Sequence, residues 1–307
     1  MTGRTGTQAS TDYPLTVTAD DGVGLAGTLT LPGTPGPHPA VLFLPGSGRV
    51  DRDSNAGRLR PGLGPALAAA LAEHNIASYR YDRRGAADTP GDWYQVGFHQ
   101  NRLDAAAALR ALRVHPGIDA VAVIGHSEGA IHATTLAAHH NPAAAVLLAG
   151  YARPGHDILR WQAASMVGHL PAPLRAIASR LGPFAARQIE RISESTTDVL
   201  RIGPSRLNAH WFREQLAHDP RPDLGAIRVP LLAITGDSDL QVDPGDLEVM
   251  ARLVPHAETR RIPGLTHVLR RDTRRPSPLA YPRLLRMPTD PALLTAVATW
   301  LAAHLHP

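Results

Sequence analysis

The sequence predicts an α/β domain in which a mostly parallel central sheet is flanked by helices. Short apolar runs alternate along the chain with segments of helical periodicity, which is the pattern of strands connected by helices. Several of these runs are continuously apolar, as expected of strands that are buried on both faces. The 307 residues can bury a large core, and the absence of cysteine excludes disulfides and thiolate zinc sites.

The strands of this sheet are expected in short apolar or β-branched runs. They are residues 15–19, 25–31, 39–44, 76–81, 121–124, 144–149, 229–235 and 258–262. The turn Asp20-Asp21-Gly22 gives the first two strands the spacing of a hairpin. Helical periodicity predicts the connecting helices at residues 63–74, 101–114, 127–140, 246–253 and 291–304.

Residues 151–219 interrupt this alternation. They contain only helical segments and prolines, most clearly at residues 158–170, 173–193 and 207–217. We therefore expect a helical insertion between two parts of the α/β core, residues 15–150 and 220–307. Residues 1–14 are polar and lack the apolar stretch of a signal peptide, so they are expected to form a disordered lead-in.

The segment Gly125-His126-Ser127-Glu128-Gly129 lies between a predicted buried strand and a predicted helix. This is the G-x-S-x-G pattern in the context that a nucleophilic serine requires, although the bare pattern also occurs at ordinary strand–helix junctions. The serine stands on a tight turn, the glycines leave room for it, and the N-terminus of the following helix favours negative charge. Ser127 is therefore the predicted nucleophile.

A serine needs a base to take its proton, and enzymes with this turn carry the acid and the histidine later in the chain. Two aspartates, Asp237 and Asp239, follow the predicted strand 229–235. Asp239 is preferred because the acid usually stands three residues after a glycine and before an apolar residue, which leaves Asp237 as a turn-capping residue. The predicted base is His267, which follows a strand and a Pro-Gly turn. His256 precedes that strand and would lie at the opposite edge.

Stabilising a developing oxyanion also needs hydrogen-bond donors. One donor is expected to be the backbone N–H of Glu128, the residue after the nucleophile. The second is expected from the glycine-containing loop 45–53, where the N–H of Ser47 is preferred and that of Gly48 is the alternative. This loop matches neither a dinucleotide-binding pattern nor a P-loop.

Together these segments resemble the α/β-hydrolases grouped as carboxylesterases and serine-aminopeptidase-like hydrolases. The matching segments are residues 44–48, 51–53, 81–85, 125–129, 236–242 and 264–267. They follow one another in the family's order over nearly the whole chain. Two positions depart from the family: Ala86-Ala87-Asp88 stands where a second glycine is common, and Pro45 replaces the histidine that often opens the oxyanion loop.

The resemblance implies the α/β-hydrolase fold, esterase-type activity and no cofactor. It also implies that the insertion 151–219 is a lid over the acyl pocket. Most of the lid's apolar side chains are expected to form its own core. Trp161, Trp211 and Phe212 are the candidates to line the substrate pocket.

The predicted function is a serine hydrolase that cleaves a carboxylic ester or thioester of a small to medium organic molecule through an acyl-enzyme. Acyl transfer, or amide and peptide cleavage, would use the same triad, and a non-catalytic binding protein on this scaffold is a further alternative. The formal charge is +4, and no nucleic-acid-binding pattern or membrane-length apolar run is present. We therefore expect a cytoplasmic enzyme with a small-molecule substrate, without nucleic-acid partner, metal or membrane span, and of unspecified oligomeric state.

Residues 270–288 fit no predicted element. The segment is rich in arginine and proline, has no periodicity and begins three residues after His267. One interpretation is a solvated surface loop whose charges contribute little. The alternative is that one or two of its arginines, Arg270 and Arg271 first, lie at the pocket mouth and favour substrates that carry a carboxylate or phosphate.

Overall fold

The computed structural model describes residues 9–57 and 59–306. Within these ranges the strands are β1 (Thr11–Thr18), β2 (Gly24–Leu31), β3 (His38–Leu44), β4 (Ala77–Tyr81), β5 (Ile118–His126), β6 (Ala145–Leu148), β7 (Val199–Ile202), β8 (Ser205–Asn208), β9 (Leu231–Gly236) and β10 (Glu258–Ile262). One sheet has the order β1-β2-β4-β3-β5-β6-β9-β10, and β7 and β8 form a separate hairpin. β1, β2 and β4 pair in antiparallel fashion, whereas every pairing from β4 to β10 is parallel. This is the mostly parallel sheet that the sequence predicts.

Helices cover both faces of the sheet. They are α1 (Leu63–Ala72), α2 (Phe98–Arg113), α3 (Glu128–His139), α4 (Gly155–Gly168), α5 (Ala172–Glu194), α6 (Ala209–Ala217), α7 (Arg221–Ala226), α8 (Asp246–Leu253), α9 (Tyr281–Leu284) and α10 (Pro291–Leu305). Leu67 of α1 and Val297 of α10 belong to the core on one face. Leu109 of α2, Leu136 of α3 and Met250 of α8 belong to the core on the other.

The central strands are apolar throughout because both of their faces are covered. All residues of β3 and β9 are buried, which explains why these strands show no alternation of apolar and polar residues. β3, β5, β9 and β10 are parallel, so their carboxyl ends lie at one edge of the sheet. The loops that follow these strands come together there, and this is where open α/β sheets bind ligands.

The N-terminal strand begins earlier than predicted. β1 pairs with β2 from Thr11 onward, so the disordered lead-in expected over residues 1–14 is wrong for residues 11–14, while residues 1–8 lie outside the described part. The start of β1 shows no apolar pattern because the strand is exposed at the edge of the sheet. Its pairing with β2 depends on backbone hydrogen bonds, which a hydrophobic pattern does not indicate. Asp12 adds to this pairing by accepting from the hydroxyl of Thr30 at 2.5 Å.

The insertion between β6 and β9 is not wholly helical. α4 to α7 form most of it, but β7 and β8 form a hairpin within it, so the expectation of helices alone over residues 151–219 is wrong. The strands are too short to show periodicity, and they meet at a turn where Gly203 has a φ of 58°. The predicted helix 207–217 begins later than expected, because the Asn208 side chain caps α6 by accepting from the N–H of Trp211 at 2.8 Å.

α5 buries its apolar face only near its C-terminus. Ile192 is buried, whereas Leu174, Ile177, Leu181 and Phe184 are exposed on the N-terminal part of the helix. Across the described ranges, no helix is both long enough and apolar enough to cross a membrane.

An ion pair forms within the arginine-rich segment 270–288, and another connects the segment to the residue that precedes α10. Arg283 pairs with Asp272, and Arg271 pairs with Asp290 at 2.9 Å. Of the two arginines considered for the pocket mouth, Arg271 is therefore engaged in a surface ion pair.

Candidate active site

Ser127 lies at the sharp turn between β5 and α3, at the carboxyl edge of the sheet. Its backbone has φ 56° and ψ −119°, a combination that L-residues rarely adopt. The turn requires glycine on both sides. A Cβ on Gly125 would lie 2.0 Å from the carbonyl oxygen of Gly129, and a Cβ on Gly129 would lie 2.1 Å from that of Leu44. The glycines of the G-x-S-x-G pattern are therefore a steric necessity of this turn.

The three residues predicted as a triad form one hydrogen-bonded chain. His267 Nε2 is 3.1 Å from Ser127 Oγ, and His267 Nδ1 is 2.9 Å from Asp239 Oδ2. Asp239 is itself fixed, because its Oδ1 accepts from the N–H groups of Gln241 and Val242 at 2.7 and 2.9 Å. Asp239 and His267 are 3% and 5% exposed, so water has little access to their contact. These distances are within the reach that a nucleophile and its base require.

The alternative acid and base lie elsewhere. Asp237 is exposed and accepts from the N–H of Gly264 at 2.7 Å, so it stabilises the Pro-Gly turn. His256 contacts the backbone just before β9, at the opposite edge of the sheet. Of the two aspartates, only Asp239 contacts His267.

Two backbone N–H groups predicted as oxyanion donors flank the nucleophile. Glu128 is the first residue of α3, and Ser47 lies in the loop after β3. Neither N–H donates to an acceptor within residues 9–57 and 59–306. The loop passes close to Ser127, since a Cβ built on Gly46 would be in van der Waals contact with Ser127 Cβ at 3.4 Å. Among the described residues both N–H groups are therefore without an acceptor, and that of Glu128 lies at a helix N-terminus, which favours negative charge.

A buried ion pair connects the loop 45–53 to the turn that carries Ser127. Arg83 donates to Glu128 Oε1 at 2.9 Å and to the carbonyl oxygen of Pro45 at 3.0 Å. The same Glu128 oxygen is 2.9 Å from His132 Nε2. Burial alone would raise the pKa of Glu128, but Arg83 and His132 outweigh this effect and hold the pKa at about 2. The ionised carboxylate thus fixes Arg83, which in turn holds the loop 45–53 through the carbonyl oxygen of Pro45.

Asp82 provides a second attachment for this loop. Its carboxylate is fully buried and accepts from the backbone N–H of Arg52 at 2.7 Å and from its Nε at 3.0 Å. No local pattern in the sequence indicated these roles for Asp82 and Arg83. The one signal in the sequence was that segments 51–53 and 81–85, which contain these residues, both match segments of the family.

His126, whose position beside Ser127 predicts that it packs under the turn, contacts His267. Its Nε2 donates to the carbonyl oxygen of His267 at 2.9 Å, and the two ring centroids are 5.2 Å apart. Burial, with a smaller contribution from His267, lowers the pKa of His126 to about 4, so the ring is neutral at neutral pH. His126 therefore helps to position the backbone that carries the imidazole of His267.

Two cavities meet at Ser127, and Ser47 and His267 line both of them. The first cavity has a volume of about 310 Å³ and is bounded by the loop after β3 and by residues 268–285. The second has a volume of about 210 Å³ and is bounded by α4 and α6 of the insertion. No group of three or more His, Asp or Glu side chains in the described part of the chain is arranged as a metal site.

The insertion contributes two of the three side chains predicted for the substrate pocket. Trp211 and Phe212 line the second cavity, whereas Trp161 lines neither. On α4, the face toward the cavity carries Ile158 and Gln162. Trp161 packs against the apolar cluster that contains Ile158 and Val242, two residues of the cavity wall, so it lies behind that wall and its role toward a substrate stays a prediction.

The family model described as serine aminopeptidase, S33, matches residues 63–274 of this chain. The matched region includes the turn at Ser127 as well as Asp239 and His267. The chain belongs to this family of α/β-hydrolases. The resemblance stated from the sequence is thereby confirmed.

The relatives whose names state an activity share less than a quarter of their residues with this chain. Esterase EstD of Thermotoga maritima is 23% identical over 286 residues, which cover 91% of this chain and 65% of that protein. Est1E of Butyrivibrio proteoclasticus, solved with ferulic acid bound, superposes with a TM-score of 0.65 at 16% identity, covering 95% of this chain and 100% of its own. An esterase of Pyrococcus furiosus gives a TM-score of 0.64 at 15% identity, covering 96% and 92%. These superpositions confirm the predicted α/β-hydrolase fold.

Proposed function

We propose that the chain is a serine hydrolase that cleaves a carboxylic ester or thioester of a small to medium organic molecule through an acyl-enzyme. The observation that carries this proposal is the hydrogen-bonded chain from Ser127 through His267 to Asp239. The unused N–H groups of Ser47 and Glu128 beside the hydroxyl support it. So do membership of the family and likeness to proteins named as esterases.

Acylation follows from this geometry. His267 Nε2 takes the proton of Ser127 while Oγ attacks the carbonyl carbon of the ester. The Nδ1–H of His267 donates to Asp239, which keeps Nε2 available as the acceptor and stabilises the imidazolium that forms. The carbonyl oxygen becomes negative and is bound by the N–H groups of Ser47 and Glu128. Each such donor is worth on the order of 10²–10³ in kcat.

Collapse of the first intermediate breaks the ester C–O bond, and His267 gives its proton to the leaving alcohol. Water then attacks the acyl carbon while His267 Nε2 removes a proton from it. Collapse of the second intermediate releases the carboxylic acid and returns the proton to Ser127 Oγ. The sequence of steps balances with one ester and one water.

The insertion of residues 151–219 is assigned the role of a lid on the core formed by residues 15–150 and 220–307. Trp211 and Phe212 of the insertion give the second cavity an apolar wall beside the nucleophile. An acyl chain gains roughly 0.8 kcal/mol for each methylene that it buries in such a cavity. We therefore assign the second cavity to the acyl portion of the substrate.

A series of 4-nitrophenyl esters graded in acyl length, measured beside the matching 4-nitroanilides, tests the proposal. Hydrolysis of the esters is expected, with an optimum at short to medium acyl chains and little or no cleavage of the anilides. A fluorophosphonate probe should label the native protein but not the folded Ser127→Ala variant. Absence of both turnover and labelling would refute the proposal, and faster cleavage of anilides than of esters would favour an amidase instead.

A further inference from the structure

The first cavity contains a buried cation that has no carboxylate partner among the described residues. Arg270 lines this cavity and is only 2% exposed. Its Nε donates to the carbonyl oxygen of Met287 at 3.1 Å, its Nη1 to that of Val268 at 2.6 Å, and its Nη2 to that of Pro61. These carbonyl groups hold the guanidinium in place but carry no net charge. A buried charge is normally paired, so the positive charge here remains to be balanced.

Arg270 is held at a fixed place relative to the proposed base. Its carbonyl oxygen accepts from the N–H of Thr266 at 3.0 Å and from the hydroxyl of Thr266 at 2.8 Å. The N–H of Leu269 in turn donates to the carbonyl oxygen of Thr266 at 2.9 Å. One tight turn therefore carries both His267 and Arg270, which couples the position of the cation to that of the imidazole.

Two hydroxyl groups of the same cavity also lack a partner. Tyr281 Oη and Ser54 Oγ are buried, and neither has a hydrogen-bond partner in the described part of the chain. Burial raises the pKa of Tyr281 to about 12, so this hydroxyl is a protonated donor at neutral pH. Buried polar atoms are nearly always hydrogen-bonded, and both of these line the cavity. They are placed to bind a ligand.

The other residues that line the cavity favour a negatively charged ligand over a positively charged one. Its described lining contains no aspartate or glutamate. Most of its other side chains are apolar, among them Val50, Leu63 and Leu285. Arginine carries five N–H groups, of which three donate to the carbonyl oxygens named above, so two are left for a ligand.

We propose that the first cavity binds a carboxylate group of the substrate, with Arg270 balancing its charge and with Tyr281 and Ser54 as hydroxyl donors. A carboxylate fits better than a phosphate monoester, because one guanidinium balances one negative charge whereas the phosphate carries nearly two. This inference rests on the proposed function and names the class of ester that the site takes. Because the acyl portion is assigned to the second cavity, the carboxylate is expected on the alcohol portion of the ester, and a preference on the acyl side instead would reverse the assignment of the two cavities.

A surface effect of the other arginines would have a different signature. Arg275 is exposed, and Arg271 is paired with Asp290. Exposed charges attract anions at long range and are screened by salt, whereas a buried guanidinium is screened much less. A preference for anionic esters that is due to Arg270 therefore persists at high ionic strength.

Two matched ester pairs test the proposal. Ethyl hydrogen glutarate is compared with ethyl 5-methylhexanoate on the acyl side, and 4-acetoxybutanoate with 4-methylpentyl acetate on the alcohol side. In each pair a carboxylate replaces an isopropyl group of similar size. We expect kcat/KM to favour the anionic member of one pair by roughly tenfold or more, also in about 0.5 M NaCl.

The variants assign that preference to residues. Arg270→Gln is expected to reduce the ratio of anionic to neutral kcat/KM by about 10- to 100-fold, the range of a charge-assisted hydrogen bond. Tyr281→Phe keeps the ring and should reduce the ratio by roughly tenfold, because its hydroxyl donates to a charged group. Arg275→Gln is the matched control, since it removes the same charge from an exposed part of the same segment, and should leave the ratio unchanged. Thermal unfolding checks that each variant is folded.

The outcomes separate this inference from the proposed function. Three results overturn the inference and leave the proposed ester hydrolysis intact. They are equal kcat/KM within both pairs, a preference for the anionic ester that salt erases, and a ratio that is unchanged in both the Arg270 and the Tyr281 variants. Fluorophosphonate labelling without hydrolysis of either anionic ester also overturns it. If Arg270→Gln does not fold, the Tyr281→Phe ratio decides. Failure to hydrolyse any ester together with absence of labelling refutes the proposed function itself.

Discussion

Asp239→Asn is expected to lower kcat by roughly 10⁴. Asp239 Oδ1 already accepts from the N–H groups of Gln241 and Val242, and its Oδ2 is 2.9 Å from His267 Nδ1. An asparagine would keep the two backbone contacts through its oxygen and so present its NH₂ group to Nδ1. His267 would then carry its proton on Nε2, and it could not accept the proton of Ser127.

The expected loss corresponds to about 5.4 kcal/mol of transition-state stabilisation, at 1.36 kcal/mol for each factor of ten. Asp237→Asn is the matched control, because it is the same chemical change two residues away. Asp237 Oδ1 accepts from the N–H of Gly264, a role that asparagine retains, so kcat should stay within about threefold. Initial rates with a saturating 4-nitrophenyl ester measure kcat for both variants and for the parent protein. A damaging Asp237→Asn together with a silent Asp239→Asn would refute the assignment.

Two further predictions concern Glu128 and the insertion. Glu128→Gln should cost about 3–5 kcal/mol of unfolding free energy at neutral pH, because Arg83 is left buried without its counter-charge; denaturant titration measures this. The folded pKa of Glu128, about 2, lies below its ordinary value of 4.5, so its stabilising contribution is complete above about pH 4.5 and is lost as the pH falls toward 2. A difference between parent and variant that does not shrink over that window would contradict this. Phe212→Ala should shift preference toward longer acyl chains, whereas Phe184→Ala, on the exposed part of α5, should not. An equal shift in both would argue against the second cavity as the acyl pocket.

The sequence predicts those parts of the fold that depend on local patterns. Continuous apolar runs mark β3 and β9 because both faces of these strands are buried. Gly125 and Gly129 mark the turn at Ser127 because no side chain fits at either position. That residues distant in sequence meet at one site was expected from the order of the motifs and from the resemblance to a family, whereas the order of the strands in the sheet was not predicted.

What could not be predicted depends on contacts between distant segments or on the orientation of a helix. The pairing of Arg83 with Glu128 joins residues 45 positions apart, and no spacing rule links them. Trp161 is absent from the cavity lining that includes its helical neighbour Gln162, because one helical position changes the direction of a side chain by about 100°. The residues around Arg270 have the composition of a surface loop. Its side chain is nevertheless buried, in a tight turn that no local pattern predicts. β7 and β8 were missed because four residues are too few to show a period.

Trapping of the acyl-enzyme tests the central claim most directly. The protein is mixed with an activated ester that deacylates slowly, quenched in acid and digested, and the peptides are analysed by mass spectrometry. The account predicts one acyl group per chain on the peptide that contains Ser127, no acylation in Ser127→Ala, and much slower acylation in His267→Ala. Turnover of the ester without acylation of Ser127, or acylation at another residue that survives Ser127→Ala, would contradict it.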